Sequence, residues 1–197
     1  MPNIKYRSDE GELIPIIIII ILNFLVYIAV NIATFSGGNI LPYLALSKMT
    51  FLAAPWTVFT YMFTHADFFH ILANMVTFYF YGSFLNRVTG VKPFLLIYLL
   101  GGLVGGLFIL LLSSTYSLTI GASGAVFALG GALAVLTPKL QVFIFPIPVP
   151  MPLWVAILVG FLVLAIIPGV SWQGHLGGLL TGLAAGWILR KRVRVLY

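Results

Sequence analysis

Long uncharged apolar runs alternate with short polar, glycine-containing or proline-containing segments along most of this chain. A helix of about 20 apolar residues is long enough to cross the hydrocarbon layer of a bilayer, which is about 30 Å thick. The pattern therefore predicts an all-α membrane protein with a bundle of six transmembrane helices. The approximate bounds of these spans are 13–32, 65–85, 94–112, 120–136, 153–167 and 172–189.

Two connections depart from the helical pattern. The segment 35–64 carries glycines and prolines but stays apolar and aromatic, which favours a loop in the membrane interface, anchored by Tyr43, Trp56 and Tyr61. A pair of short helices in this segment is the alternative. Alternate prolines between 146 and 152 exclude regular helix, so we expect that stretch to be extended.

Composition and charge support the membrane interpretation. The chain of 197 residues is 61% hydrophobic and 7% charged, whereas about a quarter of the residues are charged in ordinary soluble domains. The net charge of +6 comes from residues between and after the apolar runs, so it indicates membrane topology and not a nucleic-acid partner. The acidic flank and the apolar length of the first run favour a span over a cleaved signal peptide.

The distribution of lysine and arginine predicts the orientation. Six spans place both termini on one side, and cytoplasmic segments are rich in basic residues. On this count nine of the ten basic residues are cytoplasmic, and Lys48 alone is outside. We therefore expect a cytoplasmic tail at 1–12, a six-span core at 13–190 and a basic cytoplasmic tail at 191–197 in a multi-pass protein of the cell membrane. The nine cytoplasmic positions are 5, 7, 87, 92, 139, 190, 191, 192 and 194.

Four polar residues lie near the outer ends of the three spans that enter from outside: His70 and Asn74, Ser123, and His175. His70 and Asn74 share a helix face because they are four residues apart, whereas His65 and His70 would differ by about 140°. Ionisable groups inside a membrane are costly and generally functional. The structural alternatives are back-bonding to a carbonyl for Ser123 and His175, and helix capping or helix association for His70 and Asn74.

The glycines predict close helix packing. Positions 174, 178, 182 and 186 of the sixth span are all glycine, which leaves one stripe of that helix without side chains. Gly101-Gly102 and Gly105-Gly106 give the third span a similar small-residue face. Neighbouring helices can then approach backbone to backbone.

The residue types limit the chemistry. The chain has no cysteine, so it has no thiol nucleophile, and it has no H-E-x-x-H zinc motif. Asp67 is the only acid outside the N-terminal tail, so a carboxylate that orients His175 is not expected. The pattern favours a Ser123 and His175 dyad, in which the imidazole takes the hydroxyl proton, without a metal or cofactor.

Three motifs together resemble the rhomboid family of intramembrane serine proteases. They are the G-A-S-G sequence at 121–124, His175 followed by Gly178 and Gly182, and the spacing of His65, His70 and Asn74. The resemblance covers the six-span core. It implies a Ser123 and His175 dyad, with the oxyanion surrounded by His70, Asn74 and the Ser123 amide.

The resemblance also implies that Phe127 packs on the His175 ring. Two positions depart from the family: Phe127 is often tyrosine there, and Thr57 replaces the arginine of a Trp-Arg pair that begins at Trp56. The second departure affects the anchoring of the first loop. The chemistry of the dyad does not depend on it.

The expected function is that of an endopeptidase that cleaves transmembrane segments of other membrane proteins near their outer ends. Substrates should carry helix-breaking or small residues there, because intrahelical hydrogen bonds must open before attack. Changes at His65 and Asp67 should matter less than changes in the dyad. The fifth span and the connection 168–173 are candidates for the element that opens. An inactive rhomboid-like chaperone and, less favoured, a small transporter are the alternatives.

Overall fold

The computed structural model describes residues 13–144 and 147–191. The predicted tail 1–12 and all of the predicted tail 191–197 except Lys191 lie outside the described residues. The described part contains seven α-helices. They are α1 (Ile14–Phe35), α2 (Thr57–Thr60), α3 (Phe68–Thr89), α4 (Val91–Leu112), α5 (Ser123–Leu136), α6 (Leu153–Ala165) and α7 (Trp172–Leu189).

Three of the described helices are long and apolar enough to cross a membrane by length and composition: α1, α3 and α4, each of 22 residues. The apolar helices α5 and α6 are shorter, with 14 and 13 residues, or about 20 Å each at 1.5 Å per residue. Most residues of α5 are buried among the other helices. These helices indicate a multi-pass membrane protein.

The second and fourth predicted spans begin later than expected. Asp67 is the N-cap of α3, and its Oδ1 accepts a hydrogen bond from the His70 amide at 2.9 Å, so His65 precedes the helix. Gly121 has a φ of +125°, which is incompatible with an α-helix. Helix α5 therefore starts at Ser123 instead of residue 120. Each difference changes the surroundings of a candidate site residue.

The segment 35–64 is neither a plain loop nor a pair of regular helices, because α2 and two three-residue 3₁₀ turns break it into short pieces. Trp56 is half exposed and donates its indole N–H to the Tyr43 carbonyl at 2.9 Å. Tyr61 does not act as the expected interfacial anchor. It is buried, and its hydroxyl donates to the Gly102 carbonyl at 2.6 Å, so it holds the loop against α4.

The close packing expected from the glycines is confirmed along α5 and α7. A Cβ at Gly178 would overlap the Gly124 carbonyl, and one at Gly182 would overlap the Ala128 carbonyl. Gly186 lies against Ala132 in the same way, with 2.8 Å between a built Cβ and the carbonyl oxygen. We call this line of contacts the α5–α7 seam. Its contacts repeat every four residues, once per helical turn, and fix the alignment of the two helices.

A two-stranded antiparallel hairpin connects α5 to α6. Strand β1 (Gln141–Ile144) pairs with β2 (Ile147–Pro152), with Val142 opposite Met151 and an irregularity nearer the turn. The extended conformation expected from the prolines is therefore confirmed for 147–152. Pro146 lies outside the described residues.

Candidate active site

Ser123 and His175 meet at the N-terminal ends of two adjoining helices. Ser123 is the first residue of α5, and His175 lies in the first turn of α7, which Ser171 caps through its hydroxyl. The Nε2 atom of His175 is 2.7 Å from the Ser123 hydroxyl oxygen. This is a short hydrogen bond between a nucleophile and a base, the geometry that proton abstraction requires.

The α5–α7 seam brings the two side chains together. Gly124 follows Ser123 directly, and Gly178 lies one turn beyond His175, so the contact between these glycines is the first below the pair. On the other flank, a Cβ at Gly124 would lie 3.0 Å from the Gly174 carbonyl. Backbone contact on both sides leaves little freedom in the spacing of the two helix starts.

Aromatic rings hold the imidazole of His175. The Phe127 ring lies one turn beyond Ser123, 4.7 Å from the His175 ring centroid and inclined at 33°. Phe161 of α6 contacts Phe127 edge-on, with the ring centroids 6.1 Å apart. The Nδ1 atom of His175 is buried, and within the described residues it has no hydrogen-bond partner. Packing therefore orients this ring, and no described carboxylate does so.

His70 lies above the turn that precedes Ser123. Its Nδ1 accepts from the Ala66 amide at 3.4 Å, so in the neutral ring Nε2 carries the proton. A Cβ at Gly121 would lie 2.9 Å from this Nε2. Two features thus favour glycine at position 121: the positive φ and the close approach of the His70 ring. The result is a donor next to Ser123.

The side chain of Asn74 is partly engaged within its own helix. Its side-chain amide donates to the His70 carbonyl one turn earlier at 2.9 Å. One hydrogen of the amide is used in this bond, and the second remains for another acceptor. Asn74 is buried and faces the same groove as Ser123.

His65 lies closer to Ser123 and His70 than the sequence reasoning expected. It is 2% exposed, its Nε2 accepts from the Ala122 amide at 3.5 Å, and its ring meets the His70 ring edge-on at 5.1 Å. The expected separation of 140° was wrong because His65 precedes α3. Asp67, a strong N-cap residue, was the signal that could have placed the helix start after His65.

Burial sets the charge state of His65. Desolvation, the largest cause, and repulsion from His70 together lower its pKa to about 4, against the opposing effects of the Phe63 backbone and the Asp67 carboxylate. A neutral imidazole is the form that can accept the Ala122 N–H. His65 thus supports the turn that carries the nucleophile.

Two spaces meet at Ser123. A cavity of about 450 Å³ lies above it, bordered by His70, His175 and the 168–171 bend. A larger groove of about 1300 Å³ runs between α3 and α6 and is lined mainly by apolar side chains, from Asn74 at one end to Arg87 and β1 at the other. Ser123 borders both. We call the larger space the α3–α6 groove.

Comparison with known proteins places the chain in a family. The family model described as the rhomboid domain matches residues 53–192. The chain is 31% identical over 141 residues to the mitochondrial Rhomboid protein 1 of Saccharomyces cerevisiae, covering 66% of this chain and 41% of that protein. It is 33% identical over 141 residues to RHOMBOID-like protein 1 of Arabidopsis thaliana, covering 70% and 35% respectively.

A third relative is Rhomboid-like protease 3 of Toxoplasma gondii, 32% identical over 142 residues, which cover 70% of this chain and 53% of that protein. The chain thus spans only about a third to a half of the length of these relatives. The family match nevertheless includes α2 to α7 and every candidate site residue. The chain belongs to the rhomboid family.

Proposed function

We propose that the protein is an intramembrane serine endopeptidase that cleaves transmembrane segments of other membrane proteins near their outer ends. The observation that carries the proposal is the 2.7 Å hydrogen bond between Ser123 and His175. A structural serine in an apolar helix bonds back to its own helix, as Ser113 does to the Ile109 carbonyl at 2.6 Å. Ser123 instead faces a base on another helix.

Acylation uses the dyad directly. The Ser123 oxygen attacks the substrate carbonyl carbon while its proton passes to Nε2 of His175, and a tetrahedral oxyanion forms. When the C–N bond breaks, the same imidazole returns the proton to the departing amine. An acyl-enzyme on Ser123 remains.

Donors around Ser123 stabilise the oxyanion. The Ser123 amide lies at the start of α5, where helix N–H groups have no intrahelical partner and the helix dipole favours negative charge. His70 Nε2–H and the second amide hydrogen of Asn74 complete the set. Each preorganised donor contributes roughly 3 kcal/mol where little water is present.

Deacylation needs water, and the cavity above Ser123 supplies a path for it. A water molecule from this cavity gives its proton to His175 as it attacks the acyl carbon, and the imidazole then protonates the Ser123 oxygen that leaves. The arrangement needs no metal or cofactor. The cycle ends with the free dyad and a new carboxyl terminus on the substrate.

Substrates reach Ser123 from the bilayer along the α3–α6 groove. The groove is about 20 Å long from Asn74 to Arg87, thirteen residues at 1.5 Å each. Its apolar lining suits the side chains of a transmembrane segment. Since a helical segment hides its carbonyls in hydrogen bonds, substrates with glycine, proline or small residues near the outer end are cleaved fastest.

The proposed topology has six spans, α1 and α3 to α7, with both termini in the cytoplasm and the core at 13–190. The short helix α5 fits this topology because the water-accessible cavity lies above it. The nine-to-one distribution of basic residues supports the orientation. We propose the cell membrane as the location, and a tag fused at each terminus and tested for protease access in intact cells checks the orientation.

The deciding experiment compares four proteins in liposomes with a model transmembrane substrate. We expect Ser123→Ala and His175→Ala to abolish cleavage, and Ser113→Ala, a matched loss of one hydroxyl, to keep it. A fluorophosphonate should label the wild type, with the adduct mapped to Ser123. Equal cleavage by wild type and Ser123→Ala would instead support the inactive, chaperone-like alternative and assign the activity to a contaminant.

A further inference from the structure

The hairpin between α5 and α6 has a composition that water-exposed hairpins do not have. Among residues 141–152, Gln141 is the only polar one, and none is charged. The side chains of Phe143 and Val149 are 71% and 60% exposed. Hairpins in water normally carry polar residues on their open side. The apolar surface therefore needs an apolar partner.

The pairing of the strands shows which way the backbone N–H groups of β2 point. Leu153 donates to the Leu140 carbonyl at 2.8 Å, and Gln141 is opposite Pro152, which has no N–H, so this pair is not hydrogen-bonded. The next pair, Val142 and Met151, is therefore the hydrogen-bonded one. Met151 directs its N–H toward β1.

The direct neighbours of Met151, Pro150 and Pro152, then have their nitrogens on the free edge of β2, while Pro148 lies in the irregular part of the strand. Proline has no N–H, so this edge carries no backbone donor at these two positions. An open strand edge is normally excluded from the hydrocarbon region because its N–H groups have no partner there. Proline at 150 and 152 removes that obstacle in this part of the strand.

The location of the hairpin is continuous with the membrane-spanning helices. β2 ends at Pro152, and α6 begins at the next residue, Leu153. Trp154, in the first turn of α6, is 50% exposed, as expected of an aromatic side chain at a membrane interface. Gln141, Val142 and Phe143 of β1 line the α3–α6 groove, the proposed lateral route from the bilayer, and the described residues of β2 contribute none. The edge of β2 is thus the side away from the groove.

We propose that the hairpin 141–152 lies within the lipid bilayer at the level where acyl chains meet headgroups, with the donor-free edge of β2 and the side chains of Phe143 and Val149 against lipid. The partner is the lipid surface itself. The proposal does not depend on protease activity, and it gives the alternate prolines a physical purpose. The hairpin anchors the inner end of α6 to the membrane.

The absence of cysteine makes the test direct, since single-cysteine variants need no background changes. Nitroxide labels at Phe143→Cys and Val149→Cys are compared in phosphatidylcholine and phosphatidylglycerol liposomes with two references. Leu25→Cys on α1 is the lipid reference, and Ser114→Cys in the turn after α4 is the aqueous reference. Power saturation then measures the accessibility of each label to oxygen and to a water-soluble nickel chelate.

We expect the oxygen-to-nickel accessibility ratio at both hairpin positions to be several-fold above that of Ser114→Cys and to approach that of Leu25→Cys. Ratios equal to the aqueous reference overturn the proposal. Low accessibility to both reagents, with spin–spin broadening between labels, also overturns it, because a second copy of the chain then covers the hairpin. Circular dichroism and gel filtration verify that each labelled variant is folded.

A proline substitution tests the role of the edge. In the Phe143→Cys background, Pro150→Ala restores one N–H at the free edge and should lower the oxygen-to-nickel ratio about twofold as the strand moves toward water. Pro168→Ala, a proline outside the hairpin, is the matched control and should leave the ratio unchanged. An unchanged ratio in Pro150→Ala overturns the role of the donor-free edge.

Discussion

The two sides of α5 are packed in opposite ways. Toward α7, the glycines of the α5–α7 seam bring peptide groups into direct contact, and a single methyl group has no room. Toward α3 and α6 lies a groove of about 1300 Å³ that borders Ser123. A Cβ built at Gly160, which lines the groove, meets nothing within 4 Å. One helix therefore has a rigid side and an open side.

For the protease activity proposed above, the difference separates two requirements. The proton transfer between Ser123 and His175 needs a fixed distance, which the rigid side provides. A substrate segment needs space, which the open side provides. Changes on the rigid side should therefore act on stability and turnover together, whereas changes on the open side should leave stability near that of the wild type.

Glycine to alanine on the rigid side should have the largest effect. In Gly178→Ala the new Cβ overlaps the Gly124 carbonyl, so the helices must separate next to the dyad. We expect turnover to fall by at least 10²-fold and the free energy of unfolding by about 3 kcal/mol, as for severe overpacking. Cleavage assays and denaturation in detergent measure both.

The matched control is Gly160→Ala on the open side, which adds the same methyl group where space is available. It should keep both turnover and stability. Similar losses in the two variants would mean that the helix propensity or the membrane insertion of glycine, and not the seam, determines the result.

The free energy of unfolding should depend on pH through His65, which contacts the turn before α5. Its pKa is about 4 in the folded protein against an ordinary value of 6.5, so between these values the unfolded chain binds more protons. Stability is therefore complete above pH 6.5 and falls as the pH approaches 4, by about 3 kcal/mol from this residue. Denaturation at several pH values measures the slope.

His65→Gln keeps a hydrogen-bond acceptor for the Ala122 N–H but does not titrate. The difference in unfolding free energy between wild type and this variant should therefore be constant above pH 6.5. Between pH 6.5 and 4 it should change, because only the wild type loses stability through residue 65. A constant difference across this range would show that His65 does not contribute through its protonation.

Asn74 lies on the open side, and its loss should affect turnover without unfolding the protein. Asn74→Ala removes one oxyanion donor of several, so we expect the cleavage rate to fall by about 10²-fold or less. Thr77→Ala is the matched control, because Thr77 makes a similar bond to the Ala73 carbonyl on the same helix and borders the same groove. Equal rates for the two variants would remove Asn74 from the oxyanion site.

Filling the groove should have the smallest effect. Gly160→Leu adds a side chain where substrate is proposed to enter, so KM for a transmembrane substrate should rise several-fold while kcat and stability stay near wild type. A short unfolded peptide that enters through the outer cavity should be cleaved as before. A change in kcat for both substrates would contradict lateral entry along the groove.

The sequence predicted the helical regions better than their ends. The bounds of α7 and its glycine stripe followed from simple spacing, because both depend on the residues of one helix. The starts of α3 and α5 did not, since they depend on the cap at Asp67 and on the positive φ of Gly121. His65 was misplaced relative to His70 for that reason, as the geometry of a helix was applied to a residue outside it.

Contacts between distant segments were less accessible to sequence reasoning. The prolines indicated an extended stretch but not its pairing with 141–144, and the tie between Tyr61 and the Gly102 carbonyl had no sequence signal. The 2.7 Å distance between Ser123 and His175 also depends on how two helices are aligned. Spacing alone indicated that these residues share a level, and only packing determines that they touch.

The contact between Gly178 and Gly124 has a consequence for the way this protein responds to its surroundings. Peptide groups have no rotamers, so the distance between α5 and α7 cannot be retuned by side-chain rearrangement when the bilayer becomes thicker or thinner. Hydrophobic mismatch is then absorbed by tilting of the lipid-facing helices such as α1. Lipids of different chain length should change how fast substrates arrive, and leave the reactivity of the serine toward a small water-soluble inhibitor nearly constant.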